Sequence, residues 1–123
     1  MANRLGVWQM SGGETLPLAQ SLRGDMETAD TLTGETPVVE VHQKQGNGAY
    51  TDVTAANNFV VASVSVNTAE LTDHKGNPIA VGDGVQFKLT AGDVGRYKVR
   101  IECPSSDGHR PVAEVVLVVG DTV

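Results

Sequence analysis

The side chains best suited to chemistry in this 123-residue sequence are three histidines, His42, His74 and His109, one cysteine, Cys103, and an acidic group, Asp25, Glu27 and Asp30. A hydrolase needs a nucleophile, a base and an orienting group within mutual reach. The histidines instead fall in predicted turns or at strand ends, where solvated imidazoles are expected. Cys103 closes an alternating apolar series and has no partner nearby in sequence, so it reads as a small core residue rather than a thiolate nucleophile. Asp25, Glu27 and Asp30 offer the oxygen ligands a hard cation such as calcium accepts, but the segment lacks the ligand register and glycine of an EF-hand loop. Gly82-Asp83-Gly84 leads into a strand rather than a helix and puts an acid where a phosphate would sit. The expectation is a non-enzymatic chain with no catalytic set, no cofactor and no metal.

A second set of residues is suited to recognition. Lys88, Arg96, Lys98 and Arg100 alternate on the exposed faces of neighbouring predicted strands. They read either as a solubilising sheet face or as a basic strip that docks an acidic protein surface. Val7, Trp8 and Met10 precede a Ser11-Gly12-Gly13 joint and put the single tryptophan in a candidate apolar anchor. The formal net charge of -6 argues against nucleic acid or an anionic membrane as partner. No aromatics interleave the cations as a single-strand binder requires, and no stretch approaches the roughly 20 apolar residues of a membrane span. The N-terminus lacks the apolar run of a signal peptide. One cysteine permits no intrachain disulfide, which suits folding in a reducing cytosol.

These residues must be held by a β-rich scaffold. Hydrophobic residues make up 40% of the chain and aromatics only 4%, so a core is affordable but is built mainly from aliphatic side chains. Strand signals recur at residues 38–41, 59–66, 85–89, 97–103 and 112–119, each bounded by Gly, Asn, Asp or Pro. Val85, Phe87 and Leu89 alternate with Gln86 and Lys88, and Tyr97, Val99, Ile101 and Cys103 alternate with Lys98, Arg100 and Glu102, the period of a sheet with one buried face. No apolar stripe recurs at helical spacing over three turns. The predicted fold is all-β, an immunoglobulin-like antiparallel sandwich over residues 15–123, preceded by an extended N-terminal arm over residues 1–14; residues 16–22, a short apolar stretch that carries Pro, read as an edge strand or an extended arm.

Within it, Gly92-Asp93-Val94-Gly95-Arg96-Tyr97 has the form of a tyrosine corner: an acidic turn and Gly-x-Tyr, with Asp93 and Gly95 shaping the turn and the Tyr97 hydroxyl bonding back to its backbone. Val99 stands where a disulfide-bonded immunoglobulin domain has cysteine. Residues 103–110 supply a turn and residues 111–119 a last strand, together a hairpin. Its run Val115-Val116-Leu117-Val118-Val119 is apolar on both faces, so either both faces are covered or one is an assembly surface.

The chain resembles small immunoglobulin-like virion proteins of tailed bacteriophages, most nearly the fiber-tail adaptor family. The resemblance is carried by Asp30-Thr31-Leu32-Thr33-Gly34-Glu35-Thr36, Gly84-Val85-Gln86-Phe87-Lys88-Leu89, Gly95-Arg96-Tyr97-Lys98-Val99 and Ser106-Asp107-Gly108-His109-Arg110, and spans about residues 30–119. It implies a structural subunit made in the host cytoplasm and carried in the virion tail. Its partners would be other virion proteins, such as a tail adaptor or nozzle and the tail fiber, with several copies in a symmetric assembly. A capsid decoration or head-completion protein is the alternative within the particle. A carbohydrate-binding module is the alternative from another class, and it would need exposed aromatics such as Trp8.

Overall fold

Alternation of β-branched and polar residues builds ten strands among the described residues, 7–73 and 75–120, of the computed structural model. They are β1 (Val7–Ser11), β2 (Thr15–Ser21), β3 (Val38–Lys44), β4 (Tyr50–Asp52), β5 (Val60–Val66), β6 (Leu71–Thr72), β7 (Pro78–Ile79), β8 (Gly84–Thr90), β9 (Gly95–Glu102) and β10 (Val112–Gly120). One turn of 3-10 helix, Arg23–Asp25, is the only helix described. A five-stranded sheet has the order β1-β10-β9-β3-β4, a three-stranded sheet the order β2-β8-β5, and β6 and β7 form a small pair of their own.

The apolar face of each large sheet has the other as its cover. Val41, Val99, Ile101 and Leu117 from the five-stranded sheet and Val85, Phe87 and Leu89 from the three-stranded sheet share one buried cluster. The protein is therefore an all-β sandwich. Hydrogen bonding within the two sheets is antiparallel, except that β1 runs parallel to β10, with Val7 opposite Val116 and Ser11 opposite Gly120.

That parallel pair corrects the expected N-terminal arm. Residues 7–11 are part of the five-stranded sheet, Trp8 is 0% and Met10 4% exposed, and the Trp8 ring meets Phe87 of the opposite sheet edge-on at 5.9 Å. The reason is physical. Without β1, the backbone of β10 would be an open edge beside the buried Leu117 and Val119, and β1 supplies both hydrogen bonds and a large apolar side chain. The Ser11-Gly12-Gly13 joint is a tight crossover rather than a hinge. Gly12 N–H donates to the Gly120 carbonyl at 3.1 Å and Gly13 N–H to the Ala91 carbonyl at 2.9 Å. It carries the chain from one sheet to the other, using positive φ (+84°) at Gly13. The sandwich thus includes residues 7–14, which had been expected to lie outside it; residues 1–6 of the expected arm lie outside the described residues.

Elsewhere the two sheets are joined by loops packed backbone to backbone. A Cβ at Gly92 would stand 2.0 Å from the Asn57 carbonyl oxygen, so only glycine lets the β8–β9 turn close on residues 57–59.

Candidate interaction surface

The acidic group at 25–30 and the Ser105–His109 turn are tied into loops at one end of the sandwich. Asp30 is buried, and its carboxylate accepts from Ser106 Oγ at 2.6 Å and from the Asp107 and Thr31 N–H groups at 3.1 Å. Burial pushes this carboxyl up, but the donors from Ser106 and Asp107 outweigh it and hold the group well below the usual carboxylate range. Asp25 accepts from the Val112 N–H at 2.9 Å, fastening the first residue of β10. Arg23 donates to the carbonyls of Glu27 and Asp30 at 2.7 and 2.8 Å and pairs with the Asp83 carboxylate. The acids at 25, 27 and 30 therefore shape a loop. Among the described residues no group of three His, Cys, Asp or Glu side chains converges on a common point.

The nearest approach to a catalytic constellation is Ser105, Asp107 and His109, and its order is wrong for nucleophilic attack. Ser105 Oγ donates to Asp107 Oδ1 at 2.6 Å, and His109 Nδ1 lies 3.0 Å from Asp107 Oδ2. The carboxylate stands between serine and imidazole, and no hydrogen bond links those two, so the histidine has no route to take the serine proton. His42 pairs with Glu40 at 2.9 Å within β3. His74 lies outside the described residues. Cys103 is fully buried, and burial, reinforced by the Glu35 charge, pushes its thiol up to about 11, where the reactive thiolate is absent at neutral pH.

At the opposite end, Tyr97 points down from β9 into the corner. Its hydroxyl donates to the Asp93 carbonyl at 2.9 Å and accepts from Asn57 Nδ2 at 3.1 Å, and its ring meets Phe59 edge-on at 4.7 Å. Gly95 leaves space for this ring: a Cβ there would lie 3.2 Å from the hydroxyl oxygen. The Asp93 carboxylate accepts from Asn58 Nδ2 at 3.0 Å.

The expected basic strip does not exist as one surface. Lys88 belongs to β8 and faces out from the three-stranded sheet, where it borders a shallow groove with Pro17, Ala19 and Leu71. Arg96, Lys98 and Arg100 belong to β9 and face out from the other sheet. Consecutive strands had suggested neighbouring faces, but the 91–94 turn crosses from one sheet to the other. The lower part of the β9 row is neutralised: Arg100 lies 3.6 Å from both Glu102 and Glu114, and Lys98 lies 3.9 Å from Glu114.

The upper part is open. Arg96 and Lys44 are exposed and make no ion pair among the described residues, and Lys98 Nζ sits 4.3 Å from the centroid of the Tyr50 ring. Lys44 is opposite Tyr50 on β4, and His42 is opposite Lys98 on β9, so continuing that register brings Lys44 beside Arg96. With Val116 of β10 they line a groove of about 320 Å³ on the outer face of the five-stranded sheet. Val116 and Val118 are half-buried there, beside Val7.

The expected anchor Val7-Trp8-Met10 is thus divided by the strand's own alternation: Val7 faces outward, while Trp8 and Met10 belong to the core. A buried Trp8 cannot stack on a sugar ring, and among the described residues Tyr50 is the large aromatic that is exposed. Lys44 and Tyr50 were missed because β4 is only three residues long. The Asn47-Gly48 pair, a hairpin signal, could have found it. Asn67 was also missed. It is 1% exposed, its amide donates to the carbonyls of Ala69 and Ala80 at 3.0 and 2.9 Å, and its Oδ1 accepts from the Gly82 and Gly84 N–H groups at 3.2 and 3.1 Å.

No known protein family matches the chain, and no curated protein matches it. Among the described residues no helix is long and apolar enough to cross a membrane.

Proposed function

We propose that the chain is a non-enzymatic structural protein of a tailed-bacteriophage virion, an immunoglobulin-like adaptor that joins a fiber or appendage to the tail. The observation that carries this reading is how its polar residues are used. The acids and the serine–histidine turn that resemble a reactive set are tied into loops, while two unpaired cations, Lys44 and Arg96, lie together on an outer sheet face beside the exposed Tyr50, where a neighbouring subunit can dock.

The immunoglobulin-like character is supported by the order β1-β10-β9-β3-β4 over β2-β8-β5, and by the Tyr97 hydroxyl on the Asp93 carbonyl. The resemblance of Gly95-Arg96-Tyr97-Lys98-Val99 and its companion segments to fiber-tail adaptors supplies the virion context. A rigid module with open edges on β2, β4 and β5 suits clamping between larger partners, because added strands satisfy unpaired backbone groups. The partners are other virion proteins, in several symmetry-related copies.

Electron microscopy of purified virions carrying a tagged copy tests the proposal. The expected result is label on the tail at symmetric positions. Label on the head reassigns the chain to capsid decoration or head completion, and particles without label overturn a virion role.

A further inference from the structure

We infer that the groove bounded by Lys44, Tyr50, Arg96, Lys98 and Val116 is a docking site for an extended acidic segment of a partner protein. The inference rests on the assembly role proposed above and specifies what one of its surfaces takes.

Charge complementarity picks the occupant. The chain carries a formal net charge of -6, yet here three cations meet, and among the described residues Glu114, 3.9 Å from Lys98, is the carboxylate paired with any of them. Arg96 and Lys44 have no ion-pair partner among the described residues, so a carboxylate arriving from outside need not displace an internal one. Arg23, Arg100 and Arg110 each already have a carboxylate partner.

Geometry narrows the occupant further. Arg96 and Lys98 are alternate residues of one strand, which puts them roughly 7 Å apart along it. Carboxylates on alternate residues of an extended partner have the same spacing and can meet both. Val116 and the Tyr50 ring give the groove an apolar wall, suited to an aliphatic side chain between the acids. At about 320 Å³ the groove accepts a few side chains. It serves as an anchoring point within a larger contact, since a stable interface buries on the order of 1,200–2,000 Å².

The test titrates isotopically labelled protein with an acetylated Asp-Val-Asp-Val-Asp peptide and follows the amide resonances. A Lys-Val-Lys-Val-Lys peptide, inorganic phosphate and a short oligothymidylate serve as separate arms. The expected result is shifts confined to the groove strands, weakened by added salt. Affinity should fall about tenfold or more in a Lys44→Gln/Arg96→Gln variant and stay unchanged in Lys88→Gln on the opposite face. Melting curves check that both variants remain folded. No shifts at millimolar acidic peptide, equal loss in Lys88→Gln, or tighter binding of phosphate or oligothymidylate overturns the inference. Because the peptide measurement uses the isolated chain and the tagging experiment uses virions, failure of one is distinguishable from failure of the other.

Discussion

At the end of the sandwich where β2 stops and β8 starts, Asn67, Asp30 and Arg23 distribute their hydrogen bonds across several loops. At the end where β3 turns into β4, Lys44, Arg96 and Tyr50 stand around a groove with their polar groups facing solvent. Both ends are rich in polar residues. The difference shows that a charge or amide already satisfied inside the protein is part of the fold, whereas one left unpaired beside an apolar wall is available to a neighbour. Residue type does not separate the two cases, but partner count does.

The comparison can be broken or sharpened by substitution. The largest expected effect is a control that harms both ends alike. Trp8→Ala empties the space between the sheets and should cost about 3–5 kcal/mol in urea denaturation; a loss near zero would mean that residues 7–11 are an appendage after all. At the tied end, Asn67→Ala takes the side-chain acceptor from the Gly84 N–H and the amide donor from the Ala69 and Ala80 carbonyls, for a loss of about 2 kcal/mol, while the Gly82 N–H keeps the residue-67 carbonyl. Tyr97→Phe removes one hydroxyl from the corner beneath the groove and should cost about 1 kcal/mol, and unchanged denaturation midpoints count against the corner's role.

Acid titration compares the ends differently. The Asp30 carboxyl sits below its ordinary value of 3.8 when folded, so the stability it contributes is complete above that value and is lost as pH falls below it. Asp52, near the groove, is lowered in the same direction by the Thr54 hydroxyl and N–H. Asp30→Asn should flatten the fall in urea midpoint between about pH 5 and about pH 2 more than Asp52→Asn does, because Asp30 is the buried one of the two. The smallest effect is expected at the open end: Lys44→Gln and Arg96→Gln should each change stability by no more than about 0.5 kcal/mol.

Much of the scaffold was legible in the sequence because alternation in β8 and β9 reports a buried face directly. Two things were not legible, for different reasons. β1 pairs in parallel with β10 at the far end of the chain, and nothing local announces that partner; its glycine-rich exit looked like a flexible joint. Lys88 and Arg96 sit on consecutive strands with the same alternating pattern. That pattern fixes which side of its own sheet each residue takes, but not that the intervening turn changes sheets. The tyrosine corner was readable because Gly95 and Tyr97 are fixed by a short-range turn. The groove was not, since Lys44, Tyr50, Arg96 and Val116 come from four strands.

The parallel pairing of β1 with β10 also determines how the protein carries tension. Force applied between Val7 and Gly120 pulls β1 toward one end of the sandwich and β10 toward the other, along the strands and across the hydrogen bonds joining them. The five residue pairs from Val7 and Val116 to Ser11 and Gly120 are then sheared together instead of opening one after another. β1 and β10 thus form a mechanical clasp against tension directed along the strands.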